Sequence, residues 1–369
     1  MKQNNRAYGH KRKPSAARRN SSKKAGRKFW FRKEFLLPSF PILLFSFLFF
    51  VGTLFNMDLP SAFPKELLTI CREFYETAVS HVDFQGDFLP ARPSSDSSPS
   101  SVSPKGFEEA PFRLTVLDVG QGLSVFIEAD GQTMLYDGGD RDASSFVVSY
   151  LENQGLDTLD YVTVSHYDAD HLSGIVGVLN RFSVNQVLAP DYQASSAIFK
   201  SYEKALADHA LTPVHPAVGD TFSLGNASFT VLGPSSIDPD SGNNNSLAIR
   251  ITYGNTSFLL TGDAEHEEEE DMCQSWGRFL LSDVYVAGHH GSGSSSSWNL
   301  LENAIPGYAI ISCKKGNSYG HPHDTVMERF ESMEIPVFRT DIQGSISVAS
   351  DGENLIWSQE PCNDYTPGD

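Results

Sequence analysis

Ser165-His-Tyr-Asp-Ala-Asp-His171 packs four potential metal ligands, His166, Asp168, Asp170 and His171, into six residues directly behind the apolar run Tyr161-Val-Thr-Val-Ser165. No core can absorb such a cluster unaided, because an unpaired buried carboxylate is very costly. The cluster therefore belongs either in solvent, as a polar loop, or on a loop at a strand's C-terminal end where its side chains converge on cations. Imidazole nitrogen and carboxylate oxygen are the ligand types for Zn²⁺, Mn²⁺ or Fe²⁺.

Three further segments repeat the arrangement. Phe258-Leu-Leu-Thr-Gly-Asp263 is a β-run ending in one carboxylate, and Val284-Tyr-Val-Ala-Gly-His-His-Gly-Ser292 is a strand ending in paired histidines. Tyr319-Gly-His-Pro-His323 follows the apolar run Tyr308–Ser312. Six of the eleven histidines thus lie just behind predicted strands, which favours a site over a solvated loop.

From Phe112 onward the alternation of apolar residues and Gly turns predicts strands over Arg113–Val119, Leu123–Ala129, Thr133–Tyr136 and Tyr161–Ser165. Further strands are expected over Gln186–Ala189, Ser228–Leu232, Leu247–Tyr253, Ser257–Thr261, Val284–Ala287 and Tyr308–Ser312. Helices are expected over Ser144–Gln154, from Leu172, near Glu265–Leu281 and over Asp324–Met333. Strands in two clusters with helices between them indicate a layered α/β domain over residues 112–360.

The rest of the chain reads differently. Residues 1–33 carry 13 lysines and arginines and no acidic residue, so the remainder of the chain has 15 basic side chains against 46 acidic ones. Residues 1–34 read as a basic, disordered tail. Residues 35–57, FLLPSFPILLFSFLFFVGTLFNM, contain no charge. A helix from Phe35 to Phe55 rises about 30 Å, enough to cross a hydrocarbon core. A cleaved signal peptide is the alternative, but the stretch is longer than an ordinary signal core and no small-x-small site follows. The basic tail should remain cytoplasmic, placing residues 58–369 outside a cell membrane crossed once. Residues 58–111 hold a possible juxtamembrane helix over Pro64–Val82 and the Ser/Pro-rich linker Pro93–Pro104. Four separated cysteines without a CxxC pair exclude a zinc ribbon or a thioredoxin motif, and leave three disulfide pairings open.

In order and spacing, HxDxDH at 166–171, LLTGDAE at 259–265 and GHHGS at 288–292 resemble the metallo-β-lactamase superfamily. Leu117-Asp-Val-Gly-Gln-Gly122, Leu135-Tyr-Asp-Gly-Gly139, Gly242-Asn-Asn-Asn-Ser-Leu247 and Tyr319-Gly-His-Pro322 narrow the likeness. They are similar to the C-terminal hydrolase-like domain of ComEC-type DNA-uptake competence proteins and their free-standing relatives. The resemblance, over about Arg113 to Ser350, implies a four-layered αββα sandwich with two divalent ions, Zn or Mn, between facing sheets. It also implies that His166 and Asp168 hold one metal, Asp170 and His171 the other, and Asp263 both. One of His289 and His290 would complete the second site while the other faces substrate, and the choice is open. Asp170 and His321 are the expected catalytic residues, and His289, His321 and His323 the expected substrate contacts. His321 and His323 could bind phosphate or act as general acid, the alternative being a histidine capping the helix near Asp324.

Two departures from the superfamily bear on the metal. Asp168 stands where the usual motif has histidine, as in the competence group, and makes the site harder and more oxygen-rich, shifting preference toward Mn²⁺. No histidine between His215 and Asp263 is available as the usual third ligand of the first metal, so single occupancy is also open. Leu123 follows the Gly-Gln-Gly turn where competence proteins commonly carry an acidic residue.

The expected function is a membrane-anchored, extracytoplasmic metal-dependent hydrolase, a phosphodiesterase or nuclease. Hydrolysis of a small cell-surface ester or phosphodiester is one alternative, and a non-catalytic metal-binding surface domain another. Against DNA stands the acidic balance, with no basic-aromatic stripe visible in the sequence. The chain also lacks the many spans of a DNA channel. The basic tail would face anionic lipid. The acidic run Glu265, Glu267–Glu270 and Asp271 reads as the solvated first turns of a helix, and Asn243–Asn245 as a structural turn.

Overall fold

The computed structural model describes residues 106–368. The expected tail, membrane span, juxtamembrane helix, linker and Cys71 lie outside the described residues. Among the described residues no helix is long and apolar enough to cross a membrane.

Period-two burial builds the centre. Phe112, Leu114 and Val116 all point inward from strand β1 (Phe112–Val116), which pairs antiparallel with β2 (Val125–Ala129). Strand β3 (Gln132–Tyr136) continues the meander, and β4 (Thr158–Thr163) and β5 (Ser183–Leu188) add in parallel. The second sheet begins with the antiparallel strands β6 (Thr221–Leu224), β7 (Ala227–Gly233), β8 (Ala248–Tyr253) and β9 (Thr256–Leu260). It then adds β10 (Val284–Val286), β11 (Tyr308–Ile311) and β12 (Val337–Arg339) in parallel. Strands β13 (Ile346–Ser350) and β14 (Leu355–Trp357) return to the free edge of β1.

Inward residues of both sheets form one shared core, in which Phe112 of the first sheet stacks on Phe258 of the second at 4.7 Å. Helices α1 (Ser144–Asn153), α2 (Ala169–Arg181) and α3 (Ala197–Asp208) pack on the outer face of the first sheet. Helices α4 (His266–Trp276), α5 (Trp298–Ala304) and α6 (Asp324–Ser332) pack on that of the second. The order of layers is therefore αββα, as the sequence led us to expect.

Three local expectations are corrected. The first strand ends at Val116, three residues early, because Asp118 takes the Gly120 N–H at 3.3 Å and turns the chain. Helix α2 begins at Ala169 rather than Leu172, with Asp168 extended at its N-cap position. Asp170 and His171 therefore sit in the first helical turn, where a carboxylate also suits the helix dipole, and not on a loop. The position of α2 is fixed by a close backbone crossing: a Cβ on Gly174 would fall 1.8 Å from the Gly138 carbonyl oxygen, so only glycine lets the helix sit there.

The acidic run is only partly solvated. Glu267, Glu270 and Asp271 are exposed, but Glu268 and Glu269 share the inner face of α4 with Met272 and Cys273 and are buried. Glu269 accepts the backbone N–H groups of Ser296 and Ser297 at 2.5 and 2.8 Å, tying α4 to the start of α5. Burial outweighs these hydrogen bonds and raises its pKa to about 7. A carboxyl group raised above its unfolded value contributes stability that is complete below the unfolded pKa of 4.5 and lost as pH climbs through 7. The amount is at most about 3 kcal/mol. Unfolding free energies measured in denaturant at pH 5 and pH 7.5 should show this loss, and Glu269→Gln should flatten it. An equal slope in the variant would contradict the assignment.

Asn243–Asn245 forms a short 3-10 turn, as read from the sequence. Cys273, Cys313 and Cys362 are free thiols. The packed chain continues past residue 360. Tyr365 donates to the Ile335 carbonyl at 2.9 Å, and Arg339 reaches the Asp364 carbonyl at 3.2 Å.

Candidate metal centre

Strands of both sheets deliver their C-terminal ends to one place, the usual location of sites in open α/β sheets. β3 leads into Asp137, β4 into His166, β9 into Asp263, β10 into His289 and His290, and β11 into Ser312. The approach of β4 and β9 depends on Gly262, at φ +56°, where a Cβ would lie 2.7 Å from Ser165 Cβ.

Two overlapping donor groups result. His166, His171 and Asp263 form one, all buried; Asp170, His171 and His290 form the other. The Nε2 atoms of His171 and His290 face each other at 3.2 Å. Asp263 lies at the centre, with Oδ1 3.2 Å from His171 Nε2 and Oδ2 3.5, 3.6 and 3.9 Å from the Nε2 atoms of His290, His289 and His166. Asp170 approaches His290 Nε2 at 3.3 Å. Asp168, its side chain 60% exposed, stays at the rim, 3.8 Å from His166 Nε2. The resemblance pairs Asp168 and Asp263 with His166; the fold groups His166 with His171 and Asp263 and leaves Asp168 at the rim.

The hydrogen bonds on the far side of each ring determine which nitrogen faces inward. His171 Nδ1 donates to Asp137 Oδ2 at 2.8 Å, and His290 Nδ1 donates to the Ser312 carbonyl at 3.1 Å. Ser165 Oγ donates to Asp137 Oδ2 at 2.6 Å, so it accepts from His166 Nδ1 at 3.0 Å. All three Nε2 atoms are thereby turned toward Asp263, the arrangement that orients ligating histidines. His166 Nε2 and Asp263 Oδ1 are buried without any hydrogen-bond partner. Two orphaned buried acceptors in one donor group are costly, and a divalent cation satisfies both, so this donor set fits a metal.

The electrostatics agree. Burial works against charge on His171 and His290, yet Asp263 and the other carboxylates hold His171 well above the ordinary histidine range and His290 at about 9. Burial also opposes ionisation of Asp263, but the charges of His171 and His290 keep its carboxyl well below the usual range. The cluster draws positive charge, which protons or metal ions can supply. His166 is the exception, pushed down to about 4 by burial and then by His171, and is a neutral imidazole suited to ligation.

The fold places the two histidines of the His-His pair differently. His290 is buried within a donor group, whereas His289 is 22% exposed, its Nδ1 3.2 Å from Ser294 Oγ. Both have positive φ, +51° and +58°. For residues with a Cβ this backbone is strained, and it is held by the His289 N–H bonding to the Gly262 carbonyl at 3.1 Å.

His321 is buried at the mouth of the site, its ring centroid 5.6 Å from that of His289. Burial first, then the neighbouring His290 and His289, lower its pKa to about 3, so the ring is neutral. Gln121 Nε2 donates to His321 Nδ1 at 3.2 Å, which leaves Nε2–H as the free donor. His323 is differently engaged. It occupies the N-cap position of α6 without capping by its side chain. Its Nδ1 accepts the Gly293 N–H at 2.7 Å and its Nε2 donates to the Tyr319 carbonyl at 3.0 Å, so both ring nitrogens serve the protein's own backbone and neither is left for substrate. Leu123, where an acidic residue is common in the competence group, is buried in the core between the sheets.

Sequence reasoning assigned no role to Asp137, which orients His171 directly and His166 through Ser165. The available signal was a carboxylate in the Tyr-Asp-Gly-Gly turn behind a strand. Asp137→Asn should lower metal affinity about 10- to 100-fold with the fold retained. Metal titration of the chelated protein measures this, and unchanged affinity would show the carboxylate to be merely structural.

The αββα layers with a His/Asp centre at the strand ends define a metal-binding scaffold, and the metallo-β-lactamase superfamily model matches residues 117–305. The chain belongs to that superfamily. Within it, the chain resembles competence proteins. It is 30% identical over 249 residues to ComE operon protein 3 of Bacillus subtilis, covering 63% of this chain and 32% of that one. It is 31% identical over 247 residues to competence protein ComA of Neisseria gonorrhoeae, covering 67% and 33%. The chain thus spans about a third of the length of these relatives. Among solved structures it is similar to the metallo-β-lactamase fold protein YhfI of Bacillus subtilis, 17% identical, with a TM-score of 0.44 and coverage of 62% and 96%.

Proposed function

We propose that this domain is a metal-dependent phosphodiesterase acting on nucleic acid at the outer surface of a cell membrane, to which Phe35–Met57 anchors it. The observation that carries the reading is the convergence of His166, His171, His290, Asp170 and Asp263 around orphaned acceptor atoms at the ends of both sheets. These five residues, with Asp168 at the rim, would hold one or two divalent ions. When bound, such ions supply charge stabilisation and a water of lowered pKa. The oxygen-rich donor set favours Mn²⁺ at least as well as Zn²⁺. Resemblance to competence proteins supports nucleic acid as the substrate.

The chain's own residues perform the remaining tasks. Asp137 and Ser165 hold the histidines in one tautomer. His321 presents Nε2–H to a phosphoryl oxygen, as a neutral hydrogen-bond donor and not as a strong acid. His289, more exposed than His290, faces the substrate side. The experiment is turnover by the full chain of a generic phosphodiester and of DNA, with measured metal content and with Mn²⁺ or Zn²⁺ added after chelation. Turnover that tracks bound metal supports the reading. A preference for small esters over both phosphodiesters would replace it with a small-substrate hydrolase. Failure to hold metal at all would leave only a surface-binding domain. The location is tested separately: protease added to intact cells should remove the folded domain, and protection would reverse the orientation.

A further inference from the structure

Residues 106–368 hold eleven lysines and arginines against 37 aspartates and glutamates, so most of this surface repels a polyanion. One loop departs from that pattern. It leaves β11 at Ser312, whose carbonyl anchors His290, and returns at His321, beside His289. Its tip carries Lys314, Lys315 and Tyr319, all exposed. Neither lysine is in an ion pair among the described residues. Tyr319 is 64% exposed, the most exposed large apolar side chain described, and its ring stacks on His321 at 5.5 Å and 23°.

The loop is stiff. Asn317 Nδ2 donates to the Lys314 and His321 carbonyls at 2.8 and 2.6 Å, while its Oδ1 accepts the N–H groups of Tyr319 and His321 at 3.0 Å each. The Lys314 stem lies over Gly120, 3.7 Å from where a side chain there would begin, and the Lys314 N–H points to Gln121 Oε1 at 3.4 Å. Gln121 is also the partner of His321. An exposed aromatic ring normally costs solvation, and here it is held in place beside the mouth of the site, on the same loop as two exposed lysines without ion-pair partners. Aromatic faces beside cationic side chains are how proteins take up unpaired bases and the phosphates between them.

We infer that the loop Lys314–Tyr319 is a docking platform for single-stranded nucleic acid, with a base stacked on Tyr319 and flanking phosphates on Lys314 and Lys315. The inference rests on the phosphodiesterase reading and names its substrate as a strand with unpaired bases. A duplex buries its base faces and cannot stack there. Ribose and deoxyribose are not distinguished by anything on this loop.

The test is fluorescence anisotropy with the full chain in chelator, so that no cleavage intervenes, using labelled single-stranded DNA, single-stranded RNA and an abasic DNA oligomer. Tyr319→Ala should weaken binding of the base-bearing strands about 5- to 100-fold, and Tyr319→Phe should retain it. The abasic oligomer should bind the native chain as weakly as the base-bearing strand binds Tyr319→Ala. Lys314→Ala and Lys315→Ala should each reduce the salt dependence, with the slope of log K against log salt falling by about 0.7 per lysine. Equal binding of abasic and base-bearing strands, or undiminished binding by Tyr319→Ala, would overturn the inference. Oligonucleotide binding by a metal-loaded chain that cleaves no phosphodiester would sink the hydrolase reading and leave the platform standing.

Discussion

Asp263→Ala is expected to lose bound metal and to turn over phosphodiesters at least about 10³-fold more slowly, because one carboxylate lies among four histidine nitrogens of the centre. Its two oxygens come within 3.2 to 3.9 Å of His171, His290, His289 and His166. Removing it leaves each remaining group with too few anionic donors. In the chelated protein two effects compete. Repulsion from Asp168 and Asp170 is relieved, which favours the variant. Against this, buried His171 and His290 lose the charge that keeps them cationic, and at these distances in a buried site that loss is the larger. The metal-free variant should therefore melt below the metal-free parent. Metal analysis, turnover and melting curves check the three statements, and full activity in Asp263→Ala would remove the basis for a metal hydrolase.

The second large effect is expected at His321. Its ring contributes no atom to either donor group, so His321→Ala should leave metal content unchanged. Its Nε2–H is nevertheless the free donor at the mouth of the site, held by Gln121 on the opposite nitrogen. Loss of one such donor to developing negative charge costs about 10²–10³ in kcat. Because the ring is neutral, the pH profile should not acquire or lose a limb near pH 6.5. His321→Gln, which restores an N–H donor, should recover part of the rate where Ala does not. A variant with normal metal and unchanged turnover would reduce His321 to a support for Tyr319 and Gln121.

The centre was legible in the sequence because its chemistry is expensive. Carboxylates and histidines crowded behind apolar strands have few uses other than cation binding, so His166 to His171, Asp263 and His289–His290 are conspicuous without any structure. Their grouping was not legible. His171 belongs to both donor sets only because α2 starts at Ala169, three residues earlier than its apolar periodicity suggests. Asp137 acts across 28 and 34 residues of chain, through Ser165 and on His171, and nothing local marks that reach.

Among the elements, long alternating strands were readable, while β6, β12 and β14 are three or four residues long and fall below any periodic signal. β13 is readable only as the partner of β1, more than 200 residues distant. Helix α3 was missed despite a usable sign, Ser196 capping the Phe199 N–H at 3.2 Å ahead of an amphipathic run. Glu268 and Glu269 misled for the opposite reason, because a run of like charges suggests solvent although helical spacing turns two of them inward.

The most direct test of the account is metal stoichiometry measured together with phosphodiester turnover on the same preparation of the full chain. The account predicts one or two divalent ions per chain and activity that disappears with chelation and returns with Mn²⁺. Stable folded protein that binds no divalent ion, or turnover indifferent to its removal, would contradict it.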